Sequence, residues 1–319
     1  MKKGRIFLGV LLLIVVITAW NIFWGHKNFY MSKNLVNLDT LKTKQIIPWG
    51  IKSIKASTLW SKATGKGVKV AIMDSGIDFK HPDFGKNIKE GYNAIDPMQL
   101  PKDNLGHGTL VSGVIAAQNN EFGIVGIAPD VELYPIKVLD NFGEGEISAI
   151  ANGVEWCIKN KIQIINMSFA IPKDTPLLRN TITKAVDAGI IVVASANNSY
   201  CGEAGYPASY IKVISVTAVD NRFRICKTAP RGKIDFSAPG VGIVSTSSNG
   251  GYEELLGTSL AAPHITGLIA LILQDPQKFG LSENNVNLPD DIYNILKSLS
   301  KDLGEKGKDR IFGEGFVAL

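Results

Sequence analysis

The chain has 319 residues, of which 45% are hydrophobic, 20% charged and 8% aromatic, a profile that excludes a disordered chain, a collagen-like repeat and a coiled coil. The formal charge of +5 comes from one end: residues 1–52 hold eight Lys and Arg against the single acid Asp39, while the other 267 residues hold 26 bases and 28 acids. A globular part that is not basic argues against a nucleic-acid footprint, and three cysteines without CxxC spacing, Cys157, Cys201 and Cys226, are too few for a disulfide scaffold.

The first predicted element is apolar. Lys2, Lys3 and Arg5 precede a run over residues 6–24 in which only Thr18 and Asn21 are clearly polar. At about 1.5 Å per residue such a run approaches the hydrocarbon thickness of a bilayer. Two readings stay open. A cleaved signal peptide needs small residues before the cut, but Trp20, Phe23 and Trp24 stand there. A retained transmembrane signal-anchor uses Trp at the interface, and the positive-inside rule then leaves residues 1–5 in the cytoplasm and everything after Trp24 outside. Residues 25–44 are polar and rich in Lys and Asn, as in a tether or a short propeptide-like segment.

From residue 45 to 319 short apolar runs alternate with longer amphipathic stretches. Strands are expected over residues 68–74, 132–139, 162–168, 190–194 and 213–219, and helices over 108–117, 147–159, 177–188 and 258–274. Continuous apolar strands separated by helices predict a three-layer α/β fold, a mostly parallel sheet covered by helices on both faces. No internal repeat or low-complexity linker divides the segment, so it reads as one domain. Functional groups in such sheets gather beyond the carboxyl ends of the strands.

Three segments fall at those ends: Asp74-Ser75-Gly76 closes the first strand, Gly106-His107-Gly108-Thr109 opens a helix, and Gly257-Thr258-Ser259 opens the long one. Each alone has an ordinary reading as a turn or cap. Together they supply one carboxylate, one imidazole and one hydroxyl in the order Asp, His, Ser. A serine hydroxyl is a weak nucleophile that needs a base within reach, and the base needs a buried acid to hold its tautomer.

On these residues the chain resembles the subtilisin-like serine proteases, the subtilases. The resemblance runs through VAIMDSGIDFKHPDF, DNLGHGTLVSGVIAA, GIAPDVELYPIKVL, INMSFA, IVVASANN, GYPASY, DFSAPG and LGTSLAAPH, from about Gln45 to the final FGEGFVAL. It implies Ser259 as nucleophile, His107 as general base and then acid, Asp74 as the orienting acid, and Asn197 as the oxyanion-hole donor beside the Ser259 N–H. It implies an extended peptide substrate held by strand addition along Gly143, Glu144, Gly145, Ser168, Phe169 and Ala170, with Ile147, Ile150 and Phe169 lining an apolar pocket. Ala170 and Ala196 stand where the family mostly has Gly, so two methyls on facing walls are expected to narrow the primary pocket.

The family's structural calcium site carries over to the Gln45 and Asn120 side chains, the Asp83 carboxylate and the carbonyls of Gln118, Phe122 and Ile124, a hard-oxygen set. Leu110 and Leu260 replace the family's His and Met, and with barely 20 residues between Trp24 and Gln45 the domain is expected either to fold without the large folding segment usual in secreted members or to use the short tether for a lesser version of that task. Cys157 is expected as a packed core thiol, and Cys201 and Cys226 as two loop cysteines that pair or stay free. The expected activity is that of a membrane-anchored serine endopeptidase with an extracytoplasmic catalytic domain, acting broadly or as a processing protease for one precursor. The alternatives are a secreted protease with a cleaved signal, or a non-catalytic subtilase-fold binding or activation partner.

Overall fold

A computed structural model describes Leu41 and residues 43–281 and 288–319, all within one compact unit. The expected membrane segment at 6–24 and nearly all of the tether lie outside the described residues. Among the described residues no helix is long and apolar enough to cross a membrane.

A nine-stranded sheet forms the middle layer. Within it β1 (Lys69–Asp74) has β3 (Glu132–Lys137) and then β2 (Tyr92–Asn93) on one side. On the other side follow β4 (Ile164–Met167), β5 (Ile191–Ser195), β6 (Ile214–Val219) and β7 (Phe236–Pro239). These strands are parallel. A separate antiparallel hairpin pairs β8 (Val241–Ser247) with β9 (Gly251–Leu256), and β10 (Ser300–Lys301) and β11 (Phe316–Val317) complete the sheet edge beside β7.

Burial explains why β1 is apolar throughout. Val70 and Ile72 join one core, while Ala71 and Met73 join the other. The first core packs the sheet against α2 (His107–Ala116) and α5 (Thr258–Gln274), both buried on nearly all sides. The second packs it against the amphipathic α3 (Ile147–Lys159) and α4 (Pro176–Asp187). This is the predicted three-layer arrangement. Two further helices, α1 (Trp49–Ile54) and α6 (Leu288–Ser298), add Ile51, Ile54, Ile292 and Leu296 to the first core.

The chain crosses from one side of β1 to the other between β3 and β4, so the carboxyl end of β1 is a topological switch point. Asp74 is its last residue. All three cysteines are free, and Cys201 is exposed while Cys226 is buried beside Thr228, so they do not pair. Cys157 is the expected core thiol, and burial pushes its pKa up.

Candidate active site

The Asp74 carboxylate is fully buried, and His107 Nδ1 lies 2.8 and 3.0 Å from its two oxygens. Helix α2 can come this close because Gly108 has no side chain: a Cβ there would sit 2.1 Å from the Gly76 carbonyl. With Nδ1–H donated to Asp74, Nε2 is the ring nitrogen left with a lone pair. The imidazole remains one-fifth exposed. Burial opposes its charged form, but the Asp74 charge and hydrogen bond, followed by the Asp103 charge, outweigh it and hold the pKa above the ordinary histidine value.

Ser259 is the second residue of α5. Its hydroxyl donates to the Ser168 carbonyl at 2.8 Å, and the Ser168 hydroxyl donates back to the Ser259 carbonyl at 2.9 Å. The exchange has a backbone cause. Pro263, four residues on, has no N–H to offer the Ser259 carbonyl, so Ser168 takes the place of the missing helical donor. The Ser259 proton is thus directed to Ser168 rather than to His107. The two helices that carry these residues pack together, and Leu110 and Leu260, just past them, share a small apolar cluster with Val114 and Ile243. The two leucines that depart from the family pattern are therefore packed in one place.

Asn197 follows β5 with φ 109°, a conformation rare for a residue with a side chain. Its Oδ1 accepts the Asn198 N–H at 2.7 Å, which leaves the amide Nδ2 to donate elsewhere. Its carbonyl accepts the Thr258 hydroxyl at 2.9 Å, tying this loop to the start of α5. At that helix start the Thr258 N–H is taken by Asn198 Oδ1 and the Leu260 N–H by the Gly257 carbonyl. The Ser259 N–H between them is one of the orphan donors of a helix start. Asn198 and Thr258 were missed in the sequence because a second Asn and a Thr beside the recognised residues carry no pattern of their own.

The groove residues divide. Phe169 and Ile147 are partly exposed at the edge of the second core, and Ile150 is buried within it. In the 143–145 loop Glu144 is committed internally, its N–H to Asp140 Oδ1 and its carbonyl to the Asp140 N–H. Gly145 makes no backbone hydrogen bond among the described residues, and a Cβ there would strike the Val138 carbonyl at 2.2 Å.

The two alanines expected at the primary pocket sit in different surroundings. The Ala196 methyl packs with Ala204 and Ile234 in a small buried cluster. Gly205 approaches Ala170 and Asn197: a Cβ on Gly205 would lie 2.8 Å from the Ala170 Cβ and 3.5 Å from Asn197 Nδ2. Gly205 was not recognised from sequence, although it sits in the quoted GYPASY stretch. A cavity of about 1200 Å³ opens beside the His107 loop, lined by Asp103, Asn104, Lys137 and Phe142, but does not reach Ser259 or Asn197.

The six residues expected around calcium do converge. Gln45 Nε2 lies 2.8 Å from the Gln118 carbonyl, 3.1 Å from Asn120 Oδ1, 3.3 Å from the Phe122 carbonyl and 3.1 Å from the Ile124 carbonyl. An amide NH₂ has two protons, so four acceptors around it are more than it can satisfy. Asp83 lies alongside, accepting from Asn120 Nδ2, the Ile124 N–H and the Tyr252 hydroxyl. Burial raises its pKa despite these bonds. Among the described residues there is no group of three or more His, Cys, Asp and Glu that could hold a metal ion.

The doubly wound sheet, with an acid–base pair at its switch point and a serine at the start of the long buried helix, defines a class that comparison with known proteins identifies. Residues 65–315 match the Subtilase family, and the chain belongs to it. It is 44% identical to Subtilisin E of Bacillus subtilis (strain 168) over 236 residues, which is 72% of this chain and 61% of that protein. It is 37% identical to Subtilisin Savinase of Lederbergia lenta over 275 residues, 86% of this chain and 97% of that protein. With the Minor extracellular protease Epr of Bacillus subtilis (strain 168) it shares 37% over 274 residues, 84% of this chain but 40% of Epr. The chain thus spans about three-fifths of the length of Subtilisin E.

Proposed function

We propose that this chain is a serine endopeptidase that cleaves peptide bonds through an acyl-enzyme. The observation that carries the reading is the buried Asp74 carboxylate with His107 Nδ1 within 3.0 Å of both its oxygens. That bond selects the tautomer whose Nε2 can accept a proton, and the buried acid stabilises the imidazolium that results. Ser259 attacks the scissile carbonyl as His107 takes its proton. Asn197 Nδ2 and the Ser259 N–H, both left with donor capacity, stabilise the oxyanion. His107 then protonates the leaving amine, and water assisted by the same ring releases the acyl group. A substrate N–H arriving on the Ser168 carbonyl would compete with the Ser259 hydroxyl for that acceptor and return the hydroxyl to the imidazole.

The substrate is an extended polypeptide added along Gly145 on one side and Ser168 to Ala170 on the other, with Phe169 and Ile147 for an apolar side chain upstream of the cut. A fluorophosphonate probe is expected to label the protein and to fail on Ser259→Ala. An active-site geometry that never accepts the probe would favour the non-catalytic reading, the one in which the hydroxyl stays on Ser168.

Calcium would be held by Asp83, Asn120 and the carbonyls of Gln118, Phe122 and Ile124, with the Gln45 amide turned so that its oxygen replaces the crowded Nε2. The ion's charge would neutralise Asp83 and draw the carbonyls together, bracing the loop after α2. Thermal stability is expected to fall on EDTA treatment and to return with calcium but not with sodium; an unchanged melting temperature removes the site. The location follows from the 6–24 run: a single-pass anchor with the catalytic domain on the extracytoplasmic side, or a secreted enzyme if the run is cleaved. Protease protection of intact cells, read with an antibody to the catalytic domain, separates these from a cytoplasmic protein.

A further inference from the structure

We propose that Asp103, four residues before His107, is a positioning residue that holds the imidazole against Asp74; this rests on His107 being the base of the reaction. Asp103 is 4% exposed, and its carboxylate accepts five hydrogen bonds. Oδ1 takes the Ser75 hydroxyl at 2.9 Å, the Leu105 N–H at 3.0 Å and the Gly106 N–H at 2.7 Å. Oδ2 takes the Thr109 N–H at 2.8 Å and the Thr109 hydroxyl at 2.6 Å. The N-cap of α2 is Gly106, which has no side chain to cap with. Asp103 does that work from outside the helix, and its bonds to Gly106 and Thr109 bracket His107 in the chain.

A second path joins the two reacting residues. Ser75, next to Asp74, donates to Asp103 and accepts the N–H of Gly108, next to His107, at 3.0 Å. One hydroxyl therefore ties the turn after the acid to the turn after the base. Lys137, the in-register neighbour of Asp74 on β3, closes the net by donating to the carbonyls of Ser75 at 2.7 Å and Lys102 at 3.1 Å. A neutral amide cannot replace Asp103, because an Asn would keep one acceptor but turn an NH₂ toward the two Thr109 donors.

The charges around the imidazole fix the sign of the pH effect. Asp74 on β1 and Asp103 in the preceding loop are negative, and Lys137 on β3 is positive with its ammonium on two carbonyls. Helix α2 and strand β8 carry no other charged residue, and α5 carries only His264, which burial keeps neutral. Removing the Asp103 charge therefore lowers the pKa of His107.

The test compares full-length protein with Asp103→Asn, Ser75→Ala and, as control, Asp96→Asn, an exposed carboxylate lining the same cavity. Asp103→Asn is expected to lower kcat roughly 10- to 100-fold, the range for a catalytic group displaced by a fraction of an ångström to about 1 Å. KM should stay within about twofold, and the acidic limb of kcat/KM should move to lower pH. Ser75→Ala should lower kcat by less and leave the limb in place, and Asp96→Asn should change neither. A folded Asp103→Asn with unaltered kcat and limb, or a control that shifts as far, overturns the proposal. If Asp103→Asn does not fold, an unchanged kcat in Ser75→Ala overturns it. The chain has four histidines, so an imidazole NMR titration assigned with His107→Gln reads the same shift of the His107 pKa in protein without activity, which separates failure of this inference from failure of the proposed reaction.

Discussion

At the start of α2 the imidazole is held by charge: Asp74 on its nitrogen, Asp103 beneath its helix, Lys137 on the adjoining carbonyls. At the start of α5 the partners are neutral: the Ser259 hydroxyl donates to the Ser168 carbonyl and the Ser168 hydroxyl donates back, while the Thr258 hydroxyl and N–H donate to the Asn197 carbonyl and Asn198 Oδ1. The difference follows from what each end is asked to do. A base must sit in one orientation and gain a proton, which surrounding negative charge favours. A nucleophile with its oxyanion donors must keep donors unspent until charge develops, and a fixed carboxylate there would consume them.

The largest effect expected on the neutral side is from Asn197→Leu. It should lower kcat about 100- to 1000-fold, the size found for the matching donor in subtilisin, while probe labelling of Ser259 persists at a reduced rate. Wild-type kcat in this variant would mean that Nδ2 does not face the oxyanion. His264 tests whether the α5 side has to stay neutral. Burial pushes its pKa down to about 4, whereas the unfolded chain takes up that proton near 6.5. Stability is therefore complete above about pH 6.5 and falls as pH drops toward about 4, by about 3 kcal/mol at the limit. Urea unfolding at about pH 7 and about pH 4.5 should show this slope, and His264→Gln should flatten it.

Ser168→Ala breaks the exchange with Ser259. The Ser259 carbonyl is left without a donor, because Pro263 has none, and the loss should be about 1–3 kcal/mol. Pro263→Ala restores an N–H to the same carbonyl, so the double variant should recover part of that loss in a double-mutant cycle; strict additivity would break the link between the proline and the serine. The smallest effect concerns the primary pocket. One added methyl at Ala170 against Gly205 is worth about 1–3 kcal/mol of discrimination, so a peptide library should favour slim side chains at the cleaved position, and a profile dominated by Phe and Tyr would remove the pocket assignment.

The strands and helices that bury apolar faces were legible because hydrophobic periodicity reports burial directly. The helices at Ile147–Lys159 and Thr258–Gln274 have the predicted bounds, and β1 differs by one residue. The β8–β9 hairpin was not legible. Its buried face carries Ser245 and Thr246, whose hydroxyls bond the Leu110 and Thr109 carbonyls of α2, so its polarity is satisfied by a helix more than a hundred residues away. The strands β2, β10 and β11 were also missed, since strands of two residues have no period to read.

What the sequence by itself determined is which chemical groups stand at the ends of apolar strands and the starts of helices, because those positions follow from local pattern. Only the tertiary structure decided that Asp103 and Ser75 lace the acid to the base, that Pro263 hands the Ser259 carbonyl to Ser168, and that Ala196 packs with Ala204 and Ile234. Each of these depends on a donor or a surface supplied by a distant segment, and a hydrogen bond or a packing contact has no signature in the order of residues until folding brings its two partners within a few ångströms.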